Sequence, residues 1–159
     1  MPAITALIHT NNDALRLGRA LETLYPCDEI VVVDHGSRDG TVSIARDYGA
    51  RVVAAKPAEA PTQYLPQRHA SWILCLDPHE SLTEGLAASL FEWKTEEPPA
   101  VAVAFSVFLR EETAEGWVEN PAAQTRLVPA HWERWEKAFP RHDPSAVALE
   151  GELLRFALP

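Results

Sequence analysis

The chain has 159 residues, is 47% hydrophobic and carries a formal net charge of −9, enough apolar content for one core and, at this length, one domain. The acidic balance, with a pI of about 5.1, lacks the basic stripe that nucleic acid demands, so no nucleic-acid partner is expected. No apolar run approaches the ~20 residues a spanning helix needs and no basic-then-apolar leader opens the chain, so neither a transmembrane segment nor a signal peptide is expected.

Residues 3–8 predict a first strand running into the polar cluster His9-Thr10-Asn11-Asn12-Asp13, which suits a helix start. Leu17, Leu21 and Leu24 recur at i, i+4 and i+7 on one face of a helix that ends before Pro26. The two cysteines, Cys27 and Cys75, read as buried thiols rather than a disulfide framework, and cytoplasmic residence is the matching expectation. Residues 29–41, EIVVVDHGSRDGT, organise the rest. The β-branched run at 30–33 suits a strand buried on both faces of a parallel sheet. It ends on Asp34 and turns through two glycines, after which Asp39 or Thr41 caps a helix to Tyr48 that Gly49 stops. Ligands of open α/β sheets collect outside the carboxyl ends of the strands, where Asp34 stands. On the residues alone Asp34 is either a ligand group or a turn acid.

Arg51–Ala54 reads as a third strand, 56–61 as a loop, 63–70 as a short helix and Trp72–Leu76 as a strand ending on Asp77-Pro78-His79-Glu80. A helix over 83–94 sets Leu82, Leu86, Leu90 and Trp93 on one face. Residues 100–109 predict a long strand, with 116–118 and 124–128 as a small antiparallel pair beside it. Helices are expected over 130–139, carrying Trp132 and Trp135, and over 145–156. Most of the 13 prolines cluster at 57–66, 98–99 and 121–144, which marks loops, and no internal repeat stands out.

Three segments, in order at three strand ends, carry a resemblance. VVVDHGSRDGT resembles the VVDDGSxDGT segment of family-2 glycosyltransferases of the GT-A fold. ALIHTNND, with Thr10 and Asn12, is similar to that family's first-strand motif, and Asp77-Pro78-His79-Glu80 stands where many members carry LDADE. The match covers about residues 3–90 well and 100–130 weakly. It implies an α/β GT-A domain, a mainly parallel sheet flanked by helices with a small antiparallel addition, over 1–159. Within it, 1–95 would form the nucleotide-sugar-binding half and 96–159 a reduced acceptor half.

The implied activity is transfer of a sugar from a nucleotide sugar, a UDP-sugar by the resemblance, to an unknown glycan, lipid or protein acceptor. Asp34 would recognise the base, with Thr10, Asn12 and Asp39 on the nucleoside side. A divalent metal, Mn²⁺ or Mg²⁺, would sit on Asp77 and His79. Imidazole in place of the usual second acid favours Mn²⁺ and implies reduced activity. Glu80 either assists the metal or caps the next helix. His9 and Asn11 stand where the family has a frequent proline and aromatic, so stacking on the base would be lost there. Gln67 and Arg68 lie roughly where the family has a basic-Asn pair. Arg126, in QTRLV, matches a late family strand and would lie near the donor phosphates or the acceptor, or else on a surface strand. The catalytic base would be sought among Glu111, Glu112, Glu115 and Glu119. The rival reading is a non-catalytic nucleotide-sugar binder or scaffold on the same fold.

Overall fold

The computed structural model describes residues 2–65, 72–96 and 103–157. Four parallel strands form the nucleus: β1 (Ile4–Thr10), β2 (Glu29–Asp34), β3 (Arg51–Ala54) and β4 (Trp72–Leu76), ordered β3-β2-β1-β4. The helices α1 (Ala14–Glu22), α2 (Thr41–Asp47) and α3 (Glu84–Thr95) alternate with them. The sheet continues through β8 (Gln124–Pro129), β6 (Phe105–Thr113) and β11 (Val147–Arg155) to β5 (Glu80–Leu82). β6 also carries β7 (Gly116–Glu119), so the sheet has nine strands. A separate two-stranded antiparallel sheet joins β9 (Trp135–Glu136) to β10 (Phe139–Pro140).

Strand alternation splits the core in two. Ile4, Ala6 and Ile8 of β1, Val32 of β2 and Leu74 and Leu76 of β4 pack with Leu17, Leu21, Ala45, Leu86, Leu90 and Trp93 of the three helices. The intervening Leu7, Val31, Val33, Ile73 and Cys75 face the other way, onto Tyr64, Trp132, Trp135 and Phe139. Among the described residues that second face is covered by a 3₁₀ turn (Pro61–Tyr64) and the β9–β10 hairpin rather than by an α-helix. The helix expected over 63–70 begins as this turn, and its remainder, with Gln67 and Arg68, lies outside the described residues, as do 97–102 at the start of the expected long strand.

Three local expectations need correction. Residues 116–119 and 124–129 do not pair with each other; β7 and β8 each pair with β6. Residues 130–139 form turns and the small hairpin. Trp132 Nε1 donates to Arg134 O at 2.7 Å, Trp135 Nε1 donates to Trp132 O at 2.9 Å, and Lys137 adopts φ 55 at the tip. The indoles thus satisfy carbonyls of the turn, and helical periodicity has no role there. Residues 147–155 form a strand parallel to β6, not a helix.

Gly151 explains that last outcome. Its φ is +92, and the register against β6 shifts between Ala148 and Glu152. A Cβ on Gly151 would lie 2.3 Å from Leu86 N, so α3 packs directly on the bulge. Thr83 locks the contact: its Oγ1 donates to Glu152 O at 2.7 Å and accepts Leu86 N as the cap of α3. Gly151→Ala combines a positive φ with an overpacked contact and is expected to cost on the order of 3 kcal/mol or more in urea unfolding. A loss below about 1 kcal/mol would show that the bulge is not what seats α3.

Candidate functional site

The carboxyl ends of β1 and β2 are tied by side chains that the sequence patterns singled out. Asp34 Oδ1 accepts Thr10 Oγ1 at 2.9 Å and Ser37 Oγ at 2.5 Å, and Oδ2 accepts Ser37 N at 2.9 Å. Asn12, at φ 53, donates its amide to Ser37 Oγ and accepts Arg38 N at 2.8 Å. Asp39 Oδ1 accepts Thr41 N and the Thr41 hydroxyl, while Oδ2 accepts Ala14 N at 3.2 Å, so Asp39 clamps the starts of α1 and α2 together. Burial raises the Asp34 carboxyl, but hydrogen bonds from the Ser37 side chain and amide, Thr10 and the Gly36 amide outweigh it and hold it below the usual carboxylate range.

Beside this loop lies an open cavity of about 740 Å³, walled by Asp34, the β3 end at Ala54 and Lys56, and Lys137. Its aromatic lining is His9, His35 and Tyr64. His9 Nδ1 and His35 Nε2 share a proton at 2.8 Å, and Tyr64 meets His9 edge-on with centroids 5.9 Å apart. Burial, then the neighbouring His35 charge, push His9 down to about 4, so it is neutral at pH 7. The aromatic surface expected to be missing at Asn11 is thus present nearby, from two histidines inside the motifs, whose rings had been given no role, and from Tyr64 outside them. Alternation along β1 turns His9 to the face of Leu7, where Tyr64 sits, and Thr10 to the helix face.

The β4 end is built around Glu80, which is fully buried. Arg126 pairs with it in bidentate fashion, Nη1 to Oε1 at 2.6 Å and Nη2 to Oε2 at 2.8 Å. Glu80 Oε1 also accepts Asp77 N at 2.8 Å, while Glu80 N donates to Asp77 O at 2.9 Å, closing the turn. Arg126 gives further N–H groups to Cys75 O and Gln124 Oε1, which occupies four of its five donors within the protein. Its guanidinium also stacks on Phe139, 4.3 Å from the ring centre, at the wall of a second cavity of about 400 Å³ that Lys137 joins to the first.

Asp77 and His79 remain part-exposed at 25% and 30% of their side chains, with Oδ1 and Nδ1 2.5 Å apart. Burial raises the Asp77 carboxyl, but hydrogen bonds from the His79 amide and ring and the charge of Arg155 bring it below its usual range. Among the described residues no group of three or more His, Cys, Asp or Glu could hold a metal ion. One carboxylate and one imidazole fit an ion that takes its other ligands from a diphosphate and water, not an all-protein cage. Glu80 is committed to its arginines, so it neither faces an ion nor caps α3, whose cap is Thr83.

The four candidate bases lie on the β6–β7 hairpin. Glu111 stands in register with Arg155, Glu112 accepts Ala157 N at 3.1 Å, Glu115 sits in the hairpin turn, and Glu119 pairs with Arg110 at 2.8 Å. Cys27 and Cys75 are free thiols that burial pushes up to about 12. No helix among the described residues is long and apolar enough to cross a membrane.

This architecture defines a GT-A fold. It resembles the crystal structure of glucosyl-3-phosphoglycerate synthase from Mycobacterium tuberculosis in complex with Mn²⁺, uridine diphosphate and phosphoglyceric acid, at TM-score 0.53 and 15% identity over 82% of this chain and 57% of that one. The Glycosyl transferase family 2 model matches residues 5–145, and the chain belongs to that family. An uncharacterized glycosyltransferase of Rickettsia felis is 37% identical over 94 residues, covering 54% of this chain and 32% of that protein. A TPR repeat-containing protein of Synechococcus elongatus is 32% identical over 123 residues, 74% of this chain and 30% of its own length. The chain thus spans about a third of the length of these curated relatives.

Asp34 has a depressed folded-state value, so its contribution to stability is full above the unfolded carboxylate range of about 4 and is lost as pH falls through the folded value. Asp34→Asn is therefore expected to be clearly less stable than wild type in urea at pH 7, with the gap narrowing as pH drops below about 4. A gap that stays constant from pH 7 to pH 3 would contradict an ionised Asp34 as the organiser of this loop.

Proposed function

We propose that this chain is the donor-binding core of a glycosyltransferase that moves a sugar from a nucleoside-diphosphate donor, a UDP-sugar, to a glycan, lipid or protein acceptor. The observation that carries the reading is that β2 and β4 flank β1 in parallel, so that Asp34 with its ring-lined cavity and the Asp77 turn stand at the same carboxyl edge of the sheet. Asp34 and Asp77 follow strands on either side of β1, so their backbones stand roughly 10 Å apart, two strand spacings, about the reach of a nucleoside diphosphate. The base would lie against His9, His35 and Tyr64, with Asp34 as acceptor and Thr10, Asn12 and Asp39 holding the loop behind it.

Asp77 and His79 would hold the divalent ion, Mn²⁺ rather than Mg²⁺, which offsets charge on the diphosphate leaving group when bound. The Mn²⁺ and UDP of the structural neighbour are consistent with this. Arg126 would shape the turn and the wall of the second cavity. Of the carboxylates on the hairpin, Glu111 is foremost as base, because its register line through Arg155 leads to Glu80 and the Asp77 turn. The buried, free thiols accord with a reducing, cytoplasmic setting. A second reading, a nucleotide-sugar binder without turnover, draws support from the two-donor metal turn and the commitment of Glu80.

The test is calorimetry with UDP together with release of UDP from UDP-glucose and UDP-GlcNAc in Mn²⁺. The transferase reading expects UDP binding and Mn²⁺-dependent release, lowered roughly ten- to hundredfold by Asp77→Ala and raised about tenfold by His79→Asp. Binding with no release in either form favours the binder. Absence of both contradicts the site.

A further inference from the structure

Arg155 closes β11 in register between Glu80 on β5 and Glu111 on β6. The next amide, Phe156 N, donates to His79 O at 2.9 Å, so two consecutive residues stitch the strand end to the Asp77 turn. Two arginines reach Glu80 on unequal terms. Glu80 is already neutralised by Arg126, through contacts of 2.6 and 2.8 Å between groups that are almost wholly buried. Arg155 adds a second full positive charge and reaches Glu80 by a single longer contact, Nη1 to Oε2 at 3.3 Å. Its side chain is 38% exposed, unlike that of Arg126 at 3%. One N–H of a five-donor group is thereby used, on a partly exposed side chain whose strand end is bonded to the Asp77 turn. A carboxylate with a bidentate partner does not need a second cation, and a guanidinium is the side chain best shaped to receive phosphate oxygens.

We propose that Arg155 receives the distal phosphate of the nucleoside diphosphate bound at the Asp77 turn. This assignment rests on the reading of the cleft as a nucleoside-diphosphate site. It gives a −9 chain its local compensation for an anionic ligand and supplies cationic charge beside a turn with one acid and one imidazole. The turn is rigid through Glu80, and the arginine is held by strand pairing rather than by a loop, so the fork is placed before the ligand arrives.

The test titrates uridine, UMP and UDP into wild type, Arg155→Gln and Arg155→Lys by calorimetry, with Mn²⁺ and with EDTA, after thermal melts establish that each variant is folded. The proposal expects Arg155→Gln to weaken UDP on the order of tenfold or more in both buffers, to leave uridine within about twofold, and Arg155→Lys to recover part of the loss. Equal weakening of uridine and UDP marks a merely structural role and overturns the proposal. So does UDP binding unchanged by Arg155→Gln. If Arg155→Gln does not fold, Arg155→Lys decides: a UDP-selective loss supports the proposal, and UDP binding equal to wild type overturns it. Wild type that binds neither UDP nor uridine removes the underlying reading of the cleft, and the proposal with it.

Discussion

A buried carboxylate, that of Glu80, fixes the geometry of the β4 end. Removing such a group from water costs several kcal/mol, and only near-ideal pairing offsets it. The bidentate Arg126 and the Asp77 amide supply that pairing, and Arg155 adds one longer contact at its edge. These groups come from the turn after β4, the start of β5, β8 and β11, so the ion pair also joins the parallel nucleus to the later strands. Its consequence is a turn with little freedom, which presents Asp77 and His79 to the cleft. The cost is that two residues with promising chemistry, Glu80 and Arg126, are occupied in holding the site rather than in meeting a ligand.

The other end of the cleft follows the same logic. Thr10, Asn12, Asp34, Ser37, Asp39 and Thr41 bond chiefly to one another and to helix starts. These contacts orient the β1 and β2 ends and leave the cavity to be lined by rings and by Lys56 and Lys137. Polar motif residues form the frame, and the cavity surface combines the motif's own His9 and His35 with Tyr64, Lys56 and Lys137 from beyond the motifs. Lys137, at the positive-φ tip of the hairpin, lines both cavities.

The parallel half was legible because its strands are β-branched, bounded by turns and buried on both faces, as in residues 30–33 and 73–76. The strand ends and their acids followed from that. The C-terminal part was not legible for physical reasons. Residues 147–155 are rich in Ala, Leu and Glu, which favour helix, and tertiary pairing with β6 and β5 overrides that preference. Gly151, set between Glu150 and Glu152 inside this stretch, was the signal for a bulge and a close backbone approach. Reading that stretch as helix hid Arg155, because a helix places no residue in register with the Asp77 turn. Tyr64, His9 and His35 carry no spacing that distinguishes a lined cavity from ordinary packing.

A crystal of the protein soaked with UDP and Mn²⁺ tests most directly whether a nucleoside diphosphate binds between Asp34 at β2 and the Asp77 turn at β4. The expected result is uracil against His9, His35 and Tyr64, with the diphosphate running past the end of β1 to Asp77, His79 and Arg155. Uracil bound elsewhere, or a diphosphate directed away from the Asp77 turn, would contradict it.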